Sequence, residues 1–179
     1  MAILSAQTIR ASGIVTPCSE ASKDERNCSR GLSACGYDIS LAADVMIYSL
    51  PSSIVALFAA TLLPWPLAVP LAMYGVWAVT NSFVLAGAAE LFNLPDDVMA
   101  RVCDKSSLAR MGVNVQNTIL EPGWRGYVTL EIANFGLHNV RFKQGCAVAQ
   151  VVFERLDEPT DLPYSGKYQD QAIGPVRAR

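Results

Sequence analysis

Apolar and polar positions alternate most regularly over residues 127–132: Val128, Leu130 and Ile132 fall on one face, Tyr127, Thr129 and Glu131 on the other. A period of two is that of a half-buried strand, and it turns Glu131 away from the apolar core, toward whatever Thr129 faces. Just upstream, Glu121-Pro122-Gly123 reads as a turn, proline fixing one backbone angle and glycine free to take a positive one. Asn93-Leu94-Pro95-Asp96-Asp97 is a second turn, leading into a strand over 98–102, and Lys143-Gln144-Gly145 a third, leading into a strand over 146–156. Adjacent carboxylates beside a proline are turn chemistry, so Asp96 and Asp97 are not read as a metal pair. A further β-region begins at residues 36–49. Two short helical pieces are expected. One covers residues 4–12, capped by Ser5 and stopped near Gly13; the other is a turn through Leu108 and Ala109 that Ser106 caps, with Arg110 one turn further on. Many short strands and little helix predict an all-β fold.

One segment breaks this pattern. No charged residue occurs between Asp44 and Glu90, and residues 54–79 form an apolar run long enough to span a bilayer. Pro64, Pro66 and Pro70 each remove a backbone donor, which argues against one continuous transmembrane helix. Strands buried on both faces also read as unbroken apolar runs, so the segment is expected in the core or at a subunit interface, not in a membrane. Residues 159–179 are poor in core residues but place Tyr164, Lys167, Tyr168 and Gln171 within eight positions. They are expected to form a tail that orders over a ligand, appended to a body of residues 1–158.

Composition narrows the chemistry. The 179 residues suit one domain, and 14 basic against 16 acidic residues leave a net charge of -2, so no global field favours nucleic acid. Residues 18–30 mix acids and bases and read as a solvated loop. Five widely spaced cysteines without a CxxC pair point to reduced thiols in the cytoplasm, and the N-terminus shows no signal peptide. The single histidine, His138, falls in a turn, which disfavours nucleophile–histidine triads, and the zinc deaminase signature H-x-E…P-C-x-x-C is absent. If the protein deaminates a base, a carboxylate must activate the water. Gln150, a lone amide in an apolar strand, is either internally satisfied or a ligand contact.

Five motifs in order carry a resemblance: Gly36-Tyr37-Asp38-Ile39, the run Lys105-Ser106-Ser107-Leu108-Ala109-Arg110, the Glu121-Pro122-Gly123-Trp124-Arg125-Gly126 turn, Thr129-Leu130-Glu131, and the tail from Pro163 to Gln171. Together they are similar to dCTP deaminases of the trimeric dUTPase superfamily. The resemblance implies a distorted β-barrel of the trimeric dUTPase type, assembled as a homotrimer. Active sites lie between subunits, the tail closes each, and the apolar run helps fill the trimer core. It implies hydrolysis of dCTP to dUTP and ammonia, with Glu131 as catalytic acid–base, Ser106 orienting the water and Arg110 beside Glu131. By the same matching Lys105, Ser107, Gln150, Tyr164, Lys167 and Gln171 hold the triphosphate and sugar, Glu121 stands near the deoxyribose, and Thr129, on the face of Glu131, is a further nucleotide-binding residue. Mg2+ arrives on the triphosphate, without a protein cage.

The chain departs from the family at Lys105, usually Arg, and at Asp104, usually Gly. After Arg110 it is about two residues short, lacking the alanine that aligns the water and the histidine linked to dTTP feedback. A dUTP diphosphatase, or an enzyme doing both reactions, is the alternative that Glu121 keeps open. A catalytically silent nucleotide-binding trimer is another.

Overall fold

The computed structural model describes residues 2–24 and 27–178; Glu25 and Arg26 of the charged loop and the terminal Met1 and Arg179 lie outside the described residues. In chain order the first elements are β1 (Ala2–Ile3), α1 (Ala6–Ser12), β2 (Val15–Thr16), β3 (Ser22–Lys23), β4 (Ser29–Ser33), β5 (Gly36–Ser40) and β6 (Val45–Ile47). Two helices, α2 (Leu50–Ala60) and α3 (Trp65–Thr80), separate these from β7 (Phe83–Asn93) and β8 (Val98–Asp104). One helical turn, α4 (Ser106–Ala109), precedes β9 (Val113–Val115), β10 (Ile119–Leu120), β11 (Arg125–Asn134), β12 (Val140–Phe142) and β13 (Ala147–Arg155).

The strands form a curled half-barrel. The larger sheet runs β10-β8-β13-β5-β4-β3, with β1 also on β13; a second runs β2-β7-β11-β9; β12 pairs with β6. Alternation decides which way each strand faces: in β11, Val128, Leu130 and Ile132 are buried while Thr129 and Glu131 are only half-buried. Phe92 of β7 meets Phe153 of β13 across the core at 6.3 Å between ring centroids. The sheets are also tied by polar bonds, since the buried Glu90 carboxylate on β7 accepts from the Ser40 amide and hydroxyl on β5.

Local chemistry sets the ends of the elements. Ser5 accepts from the Thr8 amide and Gly13 closes α1 at φ 69°, as its capping chemistry predicts. Ser106 is not the cap of α4: Lys105 takes that position without a side-chain cap bond, and Ser106 is the first helical residue. The charged loop is partly regular, β3 pairing with β4.

Within this chain the apolar run is helical and largely exposed, not a set of strands buried in the core. The prolines do divide it, but into an antiparallel helical hairpin. Ser49 caps α2 by accepting from the Ser52 amide at 3.1 Å, and Pro51 and Pro66 occupy the first turns of the two helices, where a missing N–H costs nothing, whereas Pro70 stands inside α3, which continues through it. Pro64 ends the connection, and the alanine- and leucine-rich remainder favours helix. Continuous hydropathy cannot separate a buried strand from such a helix. Neither helix is long and apolar enough to cross a membrane.

Candidate active site

Glu131 sits mid-strand on β11, and its main chain is held from both sides. The Asn117 amide accepts from the Glu131 N–H at 3.1 Å and donates to the Thr129 carbonyl at 2.8 Å, while the Gln116 N–H donates to the Glu131 carbonyl at 2.8 Å. Asp104 steadies the same side, its carboxylate accepting from the Val115 amide and the Asn114 side chain. The Glu131 carboxylate itself makes no hydrogen bond or ion pair among the described residues. It faces a cavity of about 580 Å³ that Glu121, Thr129, Tyr164 and Gln171 also line. A fixed backbone carrying an unpaired carboxylate into a concave space suits a group that must take and return a proton.

The tail builds one wall of this cavity through bonds to protein. Tyr164 donates its N–H to the Pro122 carbonyl at 2.8 Å, and the Trp124 indole donates to the Tyr168 carbonyl at 3.0 Å. Gln171 bridges to Gly126, and its side-chain amide donates to the Tyr127 carbonyl at 2.8 Å and to the Thr129 hydroxyl at 2.6 Å. The Glu-Pro-Gly turn makes room: Gly123 has φ +80°, and a Cβ there would meet Pro163 at 2.7 Å. Lys167 is exposed, its ammonium 5.0 Å from the centre of the Tyr168 ring.

The other expected site residues lie elsewhere on the chain. Ser106, Ser107 and Arg110 are exposed on and beside α4, do not line the cavity, and make no bond to Glu131. Lys105 is buried, paired with Asp38 at 2.9 Å and donating to the Ser29 carbonyl and hydroxyl at 2.8 and 2.9 Å. Its three ammonium protons are therefore all engaged. Gln150 is half-buried and donates one side-chain N–H to the Ser33 hydroxyl at 3.0 Å, which leaves its second N–H and its carbonyl oxygen for another partner. Ser107 lies 3.6 Å from the Cys28 sulfur. Within the chain the expected constellation thus falls into two groups, one around the cavity and one around α4. Sequence reasoning missed Asn117 altogether; it placed Trp124 in the Glu-Pro-Gly turn and Tyr168 in the closing tail without foreseeing the bond between them. Asn117 falls between the Arg110 turn and the Glu-Pro-Gly turn, where the sequence pattern predicts no element, and its task depends on strand register.

A half-barrel with a carboxylate-bearing cavity roofed by the chain's own tail defines the class as dUTPase-like. Solved structures agree at the level of fold. A dCTP deaminase from Agrobacterium tumefaciens aligns at TM-score 0.52 with 16% identity, covering 86% of this chain and 47% of that one. A Staphylococcus bacteriophage 80alpha dUTPase variant aligns at 0.50 with 14% identity, covering 85% and 87%. The dCTP deaminase-like family profile matches residues 3–156. The curated dCTP deaminase of Acidobacterium capsulatum is 35% identical over 162 residues, 89% of this chain and 87% of that protein. Other curated dCTP deaminases align over 94 residues at 43–45% identity, about half of each chain. The chain belongs to the dCTP deaminase-like family.

Proposed function

We propose that this chain hydrolyses dCTP to dUTP and ammonia with Glu131 as proton carrier. The observation that carries the reading is the unpaired Glu131 carboxylate, held by the Asn117 clamp at the cavity wall. Water adds to C4 of the cytosine as Glu131 takes its proton and delivers it to the ring nitrogen. A second proton passes from the new hydroxyl through Glu131 to the amine, the C4–N bond breaks, and a carbonyl remains. One carboxyl group closes this balance without a metal-bound water, and general acid–base help of this kind is worth roughly 10² to 10⁴ in rate.

The site is completed, in this proposal, across the interface of a homotrimer acting on the cytoplasmic nucleotide pool. The α4 group of one subunit, with Ser106 orienting the water and Arg110 bracing the carboxylate, approaches the Glu131 cavity of its neighbour. A guanidinium holds a carboxylate bidentately, which suits Arg110 to that task. Ser107, Gln150, Tyr164, Lys167 and Gln171 hold the triphosphate and sugar, Thr129 positions Gln171, and Glu121 faces the deoxyribose. Lys105 acts by keeping Asp38 and Ser29 in place. An ion brought in on the triphosphate oxygens needs no dedicated set of protein ligands, and the described residues contain no grouping of three metal-ligating side chains. Mg2+ would supply charge neutralisation there.

Glu121 lines the same cavity as Glu131, which favours diphosphatase action as the second reading. Incubating the protein with dCTP or dUTP and magnesium separates them: ammonia without pyrophosphate is expected, and pyrophosphate without ammonia overturns the deaminase reading. Nucleotide binding without either product leaves a silent binding protein.

A further inference from the structure

The α2–α3 hairpin is built inside out. The side chains it buries are small, Ser53 and Ala60 on α2 and Gly75 and Ala78 on α3. The approach at Gly75 is close enough that a Cβ would meet Leu57 Cγ at 2.6 Å. Its large apolar side chains point outward: Phe58 is 71% exposed, Leu62 76%, Trp65 78% and Met73 68%. In water this is backwards; small residues inside and large ones outside is how helices pack against each other in lipid.

Three further observations agree on the medium. First, both helices are apolar all round, with no charged residue between Asp44 and Glu90 to form the polar rim or face of a docked amphipathic helix. Second, the small polar side chains here are satisfied internally. Ser49 and Ser52 donate to the Gly136 and Leu137 carbonyls. Ser53, Thr61, Thr80 and Ser82 donate to carbonyls three or four residues back, and Asn81 donates to the Trp77 carbonyl. Third, aromatics gather where the hairpin leaves the sheet, Tyr48 lying 4.5 Å from Trp77 and 6.4 Å from Tyr74 between ring centroids. Tyr and Trp collect at the depth of lipid headgroups. From Trp65 to Tyr74 a helix rises about 14 Å, close to one leaflet of a hydrocarbon core about 30 Å thick.

We infer that the hairpin inserts into one leaflet of a lipid bilayer, tip first, leaving the half-barrel and its cavity in water. The partner is the hydrocarbon of the leaflet, not a lipid headgroup and not a second copy of this chain. This reverses the expectation that the segment fills a protein interior, and it stands whether or not the cavity deaminates dCTP.

Density-gradient flotation with neutral phosphatidylcholine vesicles tests it on the full chain. The protein is expected to float, and the Phe58→Glu, Val69→Glu, Met73→Glu triple variant to float more than about tenfold less, since intramembrane carboxylates are strongly disfavoured. Those three side chains are exposed, so the variant should keep the near-ultraviolet circular dichroism of the parent. A depth measurement covers the case in which the triple variant misfolds. In a Trp77→Phe protein, lipids brominated near the chain ends should quench Trp65; in a Trp65→Phe protein, lipids brominated near the headgroup should quench Trp77 more strongly. Parent protein that stays at the bottom of the gradient, or quenching absent at both tryptophans, overturns the inference. So does a discrete lipid-free oligomer that the triple variant dissociates, which would assign the hairpin to a protein interface.

Discussion

The two groups of expected site residues differ in what holds them. Around the cavity, Glu131 is fixed by backbone bonds and a clamping amide while its carboxylate stays unpaired. Around α4, Lys105 is engaged in a buried ion pair, and Ser106 and Arg110 stand exposed with no side-chain bond among the described residues. A group left unpaired inside a cavity is placed to do chemistry; a charge sealed in an ion pair is placed to hold a fold. The exposed α4 residues fit neither description within this chain, which is why the proposed function assigns them to a neighbouring subunit's cavity.

Glu131→Gln is expected to have the largest effect on turnover. It keeps shape and hydrogen-bonding reach but cannot take a proton, so steady-state deamination of dCTP should fall roughly 10²- to 10⁴-fold while nucleotide affinity changes little. A rate within about threefold of the parent, less than about 1 kcal/mol, would remove the mechanism and favour Glu121 with a diphosphatase reading.

Lys105→Ala addresses the other group. It strands the buried Asp38 carboxylate, and breaking a buried pair this way costs about 3–5 kcal/mol, to be read by chemical denaturation. Replacing both partners by apolar residues, Lys105→Met with Asp38→Leu, should recover most of that loss. If the double variant is stable and still binds nucleotide normally, Lys105 is structural. If it is stable but loses affinity, the phosphate role implied by the family resemblance returns.

Two smaller effects sharpen the cavity side. Gln171→Ala removes the two bonds tying the tail to Tyr127 and Thr129 and should raise KM for nucleotide, by roughly 1–3 kcal/mol in binding, with kcat less affected. An unchanged KM would mean that the tail closes the site without this residue. Glu90 sets a pH term, because burial pushes its carboxyl above the ordinary 4.5, opposed by its bonds to Ser40 and the nearby Arg30 charge. The folded state then binds the proton more tightly than the unfolded state. Its contribution is complete below the unfolded value and is lost as pH rises through the folded one. Unfolding midpoints of Glu90→Gln should fall less with rising pH across that window than those of the parent; parallel pH profiles would contradict this.

Much of this was legible from local rules. The strand carrying Glu131 follows from side-chain alternation, α1 from Ser5 and Gly13, and the cavity rim from Glu121-Pro122-Gly123, all short-range chemistry. What was not legible depends on register or surroundings. Asp38 and Lys105 are 67 positions apart, and only the β5-β13-β8 pairing brings them together. Asn117 becomes a clamp only once the chain around β9 lies against β11. The α2–α3 run was misread for a different reason: hydropathy reports that a segment avoids water without giving its backbone, and Pro51 and Pro66 in the first turns, with Pro70 accommodated inside α3, leave both helices intact.

The claim at the centre of this account is that one subunit's cavity group works with the α4 group of its neighbour, and subunit mixing tests it directly. Glu131→Gln and Arg110→Ala proteins, each nearly inactive alone, are unfolded together, refolded at equal ratio and assayed for ammonia release from dCTP. In a closed threefold assembly, roughly a quarter of the interfaces would pair an intact Glu131 with an intact Arg110, so about a quarter of parental activity should return. Recovery no greater than the sum of the two separate proteins, with mixed trimers verified by mass, would mean that Glu131 and Arg110 serve within the same subunit or not together at all.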